Sequence, residues 1–236
     1  MLYSLLFISL IIYRDRRVDQ STVNTCDCYC QQLYKNIESE NKKLLEKKKA
    51  IFTHFVIENI YYEGEYSKDT GDVGNYHNGL LLGTKHGLSA AFLFSYKPEI
   101  SVDSFVNMNI LDVVEIITEY SFRDYFVNFS ETFIFYYVLF IFYYGHHRAD
   151  FYMSLNYNVP VSKIDSLYYS KEFGYEDAII LRDAFEKLLY TSMRRNPIYA
   201  NGWRNKYIGL YKRNKHLLNV SPFDSRIINY AGTHKK

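Results

Sequence analysis

The stretch Phe133–Tyr144 reads FIFYYVLFIFYY, and the fold turns on how it is taken. It holds no charge, Gly or Pro, and β-branched and aromatic side chains predominate. Such residues suit a pleated surface better than a helix, so the run is expected to be the central strand of a sheet. Coiled as a helix at about 1.5 Å per residue, it would fall well short of a hydrocarbon core roughly 30 Å thick, which argues against a membrane span.

Working outward, Arg148–Tyr157 reads as a second strand, joined at Gly145 by a connection short enough for a hairpin. Upstream, Asn109–Tyr120 carries the strand-like ILDVVEII and a polar exit. Before it, GLLLGTKHGLSAAFLFSYKP (79–98) gives a short strand, Leu80–Leu82, ended by Gly83, then a helix from His86 to Tyr96 halted by Pro98. Strand then helix is the first half of a βαβ unit.

At Gln31–Phe55 the apolar positions Leu33, Ile37, Leu44, Leu45, Ile51, Phe52 and Phe55 recur at helical spacing, with Glu38 four residues before Lys42. Phe52–Tyr62 turns β-branched and aromatic and is expected to become a first strand before the polar, Gly-bearing segment 63–79. Pro160 opens a helical region in which Ser162 and Asp165 have capping spacing. Leu181, Ala184, Phe185, Leu188 and Leu189 form an apolar stripe. Beyond Arg194 the chain is polar and basic, and is expected to be an irregular tail lying across a partner.

The expected class is α+β: an amino-terminal amphipathic helix, a mixed sheet of about four to five strands covered by helices, and an extended carboxy-terminal tail. The expected organisation is an extension over residues 1–30, a core over 31–195 and a basic tail over 196–236.

The 236 residues and 48% apolar content suffice for a sizeable core. A net charge of +2 gives no global field for nucleic acid or anionic lipid. The 25 Tyr and 17 Phe against one Trp and four Pro follow AT-rich codons, as in an organellar or parasite-like genome. Leu2–Ile12 is apolar and followed by Arg14, Arg16 and Arg17, but no basic segment precedes it and no small-residue cleavage site follows. A short helix docked on a partner or on the domain is expected, with a membrane-surface anchor as the alternative. Cys26, Cys28 and Cys30 lie within CDCYC. With no second cluster to complete a four-ligand zinc site, free thiols or a local bridge are the plainer reading.

Nucleotide-binding glycine patterns are absent, as are HExxH and GxSxG. His146 and His147, at the expected hairpin turn, read as solvated or backbone-bonded imidazoles in preference to ligands. No catalytic residue, cofactor or metal is expected. Arg204–Lys215, RNKYIGLYKRNK, interleaves cations with Tyr207 and Tyr211, a pattern that suits RNA by charge and stacking or an acidic protein face, and the rest of the chain carries no matching basic surface to favour RNA.

Set in order, these segments resemble the thirty-kilodalton, NuoC-like subunit of respiratory complex I. Its DGVxxVLxFL helix and the LVDLTAVD that follows are matched by Lys85-His86-Gly87-Leu88 through Phe92-Leu93 and by Ile110-Leu111-Asp112-Val113. Its RFxIVYNLLSL strand is similar to Thr132–Leu139, and its PIxS and WYEREIWDMFG are echoed by Pro160-Val161-Ser162 and Phe173-Gly174-Tyr175-Glu176. Arg194 and Arg195, then Gly202 and Trp203, stand where the family has LRRIL and DYGF. Asp177 and Ala178 depart from the ERE core, and no GHPxRKxFPL element is present.

The resemblance implies a cofactor-free subunit on the matrix side of the mitochondrial inner membrane. It would be packed on the quinone-site and iron–sulfur subunits of NADH:ubiquinone oxidoreductase and support electron transfer by holding them in place. Partner docking is then expected at Tyr175, Glu176, Arg194, Arg195, Trp203, Arg204, Lys206 and Tyr207. Nucleic acid is not expected in this reading, and membrane contact is indirect or through Leu2–Ile12. The alternative is a mitochondrial ribosomal protein contacting rRNA through its basic tail.

Overall fold

The computed structural model describes residues 20–216, 218 and 225–230, with side chains described from Lys35 onward. The Leu2–Ile12 segment lies outside the described residues. Helix α1, Gln20–Ile60, belongs in its first part to a unit covering residues 1–44 and in its last part to a unit covering 45–236. It extends the expected amphipathic helix at both ends, and Cys26, Cys28 and Cys30 fall within it, at positions whose side chains lie outside the described set. In the first unit every described side chain from Lys35 to Leu44 is exposed, Ile37 and Leu44 included.

In the second unit α1 continues where a strand was expected. Phe52, Phe55, Val56, Asn59 and Ile60 are buried, a spacing of 3, 4, 7 and 8 residues that only a helix brings to one side. After it come five two-residue strands: β1 Tyr66–Ser67, β2 Tyr76–His77, β3 Leu80–Leu81, β4 Thr84–Lys85 and β5 Leu88–Ser89. They form the antiparallel sheets β1-β4-β5 and β2-β3. The mixed sheet and its parallel βαβ unit are therefore replaced by tight antiparallel turns. Gly83 sits in the link between β3 and β4 at φ +93, where an added Cβ would strike the carbonyl oxygen of Ser67.

Helix α2, Ala90–Tyr96, starts four residues later than expected because His86 and Gly87, at φ 48 and 81, form the β4–β5 turn. Ser89 then caps it by accepting from the Phe92 amide at 3.3 Å. Helix α3 is Val102–Val106. The strand-like ILDVVEII is helix α4, Ile110–Ser121. Asn109 Oδ1 accepts from the amides of Leu111 and Asp112, and the Asn109 amide donates to Asp112 Oδ2 at 3.0 Å. This reciprocal cap outweighs the β propensity of the valines and isoleucines.

The decisive correction is at the aromatic run, which is helix α5, Glu131–Tyr144. Its start is fixed by Ser130 Oγ, which accepts from the Phe133 amide at 3.2 Å. Thr132 to Phe140 are all buried. A helix enclosed on every side has no polar stripe, so sequence period cannot mark it, and aromatic content alone then favours the wrong element. Gly145, at φ +79, ends it, and Arg148–Tyr157 continues as helix α6, His146–Asn156. The expected hairpin is a corner between two helices.

A short 3-10 turn at Val161–Lys163, where Ser162 lies, precedes helix α7, Ile164–Ser170. The Leu181 stripe lies on helix α8, Tyr175–Arg195, with Leu181, Phe185 and Leu189 buried as expected. The expected irregular tail is instead helix α9, Pro197–Asn214, whose first residue is a proline, as a helix start tolerates. It buries Ala200, Tyr207 and Leu210, so the compact unit continues past residue 195. The short helix α10, Ser225–Ile228, follows. Helix α5 packs on α6 and α8, and α8 on α9. The class is α+β but rich in helix. Among the described residues no helix is long and apolar enough to cross a membrane.

Candidate functional site

Within the 45–236 unit the carboxy-terminal turn of α5 and the first turn of α6 meet α4, α9 and the β4–β5 turn around a cleft of about 750 Å³. Aromatic rings from Phe92, Tyr120, Phe142, Tyr143 and Trp203 line it, with polar residues among them, and three polar features stand out.

The first is an ion pair between Lys206 Nζ and Glu63 Oε1. Lys206 is almost wholly buried, and its ammonium lies over the rings of Phe142 and Tyr143 at 5.1 and 4.9 Å. Burial lowers its pKa, and the Glu63 carboxylate opposes that shift. The pair ties the segment just after α1 to α9.

The second feature is the pair His146 and His147, with ring centroids 4.0 Å apart. His146 is half-buried and packs edge-on against Tyr120 at 5.4 Å. Desolvation, with smaller contributions from His147 and Arg123, brings its pKa down to about 4, so the imidazole is neutral at pH 7. Behind them is Asp150, one helical turn after His146 and 8% exposed. Its Oδ1 accepts from the hydroxyls of Tyr137 at 2.9 Å and Tyr168 at 3.0 Å. Burial raises the carboxyl's pKa, and the two phenol hydrogen bonds pull against it.

The third is Ser121, whose buried hydroxyl has no hydrogen-bond partner among the described residues. It closes α4 and also lines the cleft.

The other buried polar groups hold the helices together. Tyr207 donates to Glu186 Oε1 at 2.6 Å, tying α9 to α8. Lys171 Nζ donates to Asp177 Oδ1 at 3.0 Å, while the Gly174 amide donates to Asp177 Oδ2 at 2.9 Å and caps α8.

The residues expected to dock partners differ in exposure and in the elements that carry them. Tyr175 and Glu176 are exposed on the first turn of α8, and Arg194 and Arg195 on its last. The two arginines share a groove of about 480 Å³ with Lys187 and Arg226. Trp203 is half-buried and lines the cleft, and its carbonyl accepts from Tyr143 at 3.2 Å. Arg204 donates to the carbonyls of Ile227 and Ile228 at 3.0 and 3.1 Å. Lys206 and Tyr207 are spent on intramolecular bonds, because the helix formed by this segment turns them inward.

The sequence reading missed Glu63, Asp150, Tyr137 and Tyr168. The signal for Asp150 was its i, i+4 spacing from His146, which brings two side chains together only on a helix. No family model, curated protein or solved structure matches the chain.

Proposed function

We propose that this chain is a structural subunit that packs against other chains in a larger assembly. The observation that carries the reading is helix α1. It runs for 41 residues, about 60 Å at 1.5 Å per residue, and its described side chains from Lys35 to Leu44 are all exposed, with Ile37 and Leu44 42% and 40% exposed. Most helical stability comes from burying an apolar face, so a helix that leaves such residues in solvent is suited to a partner.

The first assembly to test is the peripheral arm of mitochondrial NADH:ubiquinone oxidoreductase, on the matrix side of the inner membrane against the quinone-site and iron–sulfur subunits. Support comes from the residues similar to the thirty-kilodalton subunit at Lys85–Leu93 and Ile110–Val113. The similarity at Thr132–Leu139 contributes nothing to fold, because the family strand it was matched to is a helix in this chain. The rRNA alternative is weakened by burial of Tyr207 and Tyr211, the two rings that would have stacked on bases.

The test is the full-length chain carrying an affinity tag, extracted with mild detergent and run on native gels and density gradients. Co-migration with NADH dehydrogenase activity is expected. Sedimentation with ribosomal subunits would replace the assembly, and migration as a lone monomer would overturn the scaffold reading.

A further inference from the structure

We propose that His146, His147 and Asp150 form a binding site for a first-row transition-metal dication of the zinc type, opening into the cleft. This does not rest on the scaffold reading. One ligand atom from each of the three residues lies within 4.8 Å of the others. They are brought together by helix α6, which places His146 and Asp150 one turn apart, and by the turn at Gly145, which sets the two imidazoles on the same side.

Several observations favour an ion there over a chance cluster. Among the described residues neither imidazole makes a hydrogen bond, although both stand beside a carboxylate. Asp150 is oriented from behind by the hydroxyls of Tyr137 and Tyr168, both on Oδ1, and among the described residues none donates to Oδ2. Carboxylate ligands of metal centres are held by outer hydrogen bonds of this kind. Independently, the unpartnered hydroxyl of Ser121 is more than nine-tenths buried and lines the same cleft as both imidazoles.

The geometry suits the ion class. Two metal–ligand bonds of about 2.0–2.2 Å meeting at a tetrahedral angle span roughly 3.4 Å, so the ligand atoms need to close by up to roughly 1.4 Å. The exposed His147 side chain is free to make that movement. Two imidazole nitrogens and one carboxylate oxygen suit Zn²⁺, Co²⁺ or Fe²⁺, whereas Ca²⁺ and Mg²⁺ take oxygen ligands. The other charges acting on these groups are Arg123, which disfavours a cation, and Asp165, which favours one. Three protein ligands leave a fourth position for water or a small ligand, and His146 and His147 line the cleft.

The test uses the full chain with Cys26, Cys28 and Cys30 all replaced by Ser, so that thiolates cannot hold the probe ion. Calorimetric titration with Zn²⁺ and absorption spectra with Co²⁺ are expected to show one ion per chain in a tetrahedral nitrogen–oxygen field. His147→Ala, at an exposed position that the fold does not need, is expected to weaken binding at least about tenfold. Tyr168→Phe is expected to weaken it by roughly 10–100-fold and to alter the Co²⁺ spectrum, as loss of an orienting hydrogen bond does. Failure of the Cys-free chain to bind either ion, or an unchanged affinity in His147→Ala, would overturn the proposal.

Discussion

Leu139→Ala tests the burial of α5 at its centre. The Leu139 side chain is fully enclosed. Truncation to Ala removes three carbons, worth about 0.8 kcal/mol each in transfer, or about 2.4 kcal/mol in total. The cavity left between α5 and its neighbours adds to this, and Leu-to-Ala changes at such sites span about 2.7–5.0 kcal/mol. Leu and Ala differ little in helix propensity, so the substitution reports packing and not helix formation. We expect a loss of about 3–4 kcal/mol, a large share of the 5–15 kcal/mol typical of a domain. For a unit of this size, that should lower Tm by roughly 6–16 °C. Urea unfolding followed by circular dichroism, compared with the unchanged chain, measures it. A loss below about 0.5 kcal/mol with an unchanged m-value would place Leu139 at the surface and refute the enclosed helix.

Three further outcomes follow from single contacts. Removing the charge of Glu63 by Glu63→Gln leaves Lys206 buried without its counter-ion and should cost about 1–3 kcal/mol, reduced by the partial exposure of Glu63. Lys206→Met, which replaces the buried cation by an apolar chain, should cost less than about 1 kcal/mol in the same urea assay. Asn109→Ala removes the α4 cap and should cost about 0.5–2 kcal/mol, read as a shift of the thermal midpoint. His86 has its pKa lowered in the fold, first by desolvation and then by Lys85, so the unfolded chain binds the proton more readily. Stability is therefore lost as pH falls below the ordinary value of 6.5, and the loss is complete below the folded value. His86→Asn keeps a residue tolerant of φ 48 and removes that titration. Its stability should fall less than that of the unchanged chain between pH 7 and pH 5, and equal slopes would refute the assignment.

Legibility in the sequence divided along the periodic signal. Helix α8 was readable because Leu181, Phe185 and Leu189 alternate with solvent-facing residues, and the central part of α1 for the same reason. Helix α5 was unreadable by period because no face of it is polar. Two cues were nonetheless present: Ser130 as a cap and Gly145 as a terminator, spaced for a helix of 14 residues and not for a strand of ordinary length. In α9, Ala200, Trp203, Tyr207 and Leu210 recur at helical spacing, but Gly202, Gly209 and the surrounding cations masked it. The error at α5 carried over to the cleft. With His146 read in a hairpin turn and Asp150 in the strand after it, nothing placed the two side chains one helical turn apart, so no cluster was visible. Tyr137 and Tyr168 reach Asp150 from α5 and α7, a convergence that tertiary packing alone creates.

The carbon-13 chemical shifts of the backbone across Glu131–Tyr144 test the central claim most directly. An unbroken run of positive Cα secondary shifts, ending at Gly145, is expected from a helix enclosed by α6 and α8. Negative Cα shifts over Phe133–Leu139 would restore the strand and contradict the fold, the cleft and the His146–Asp150 cluster together.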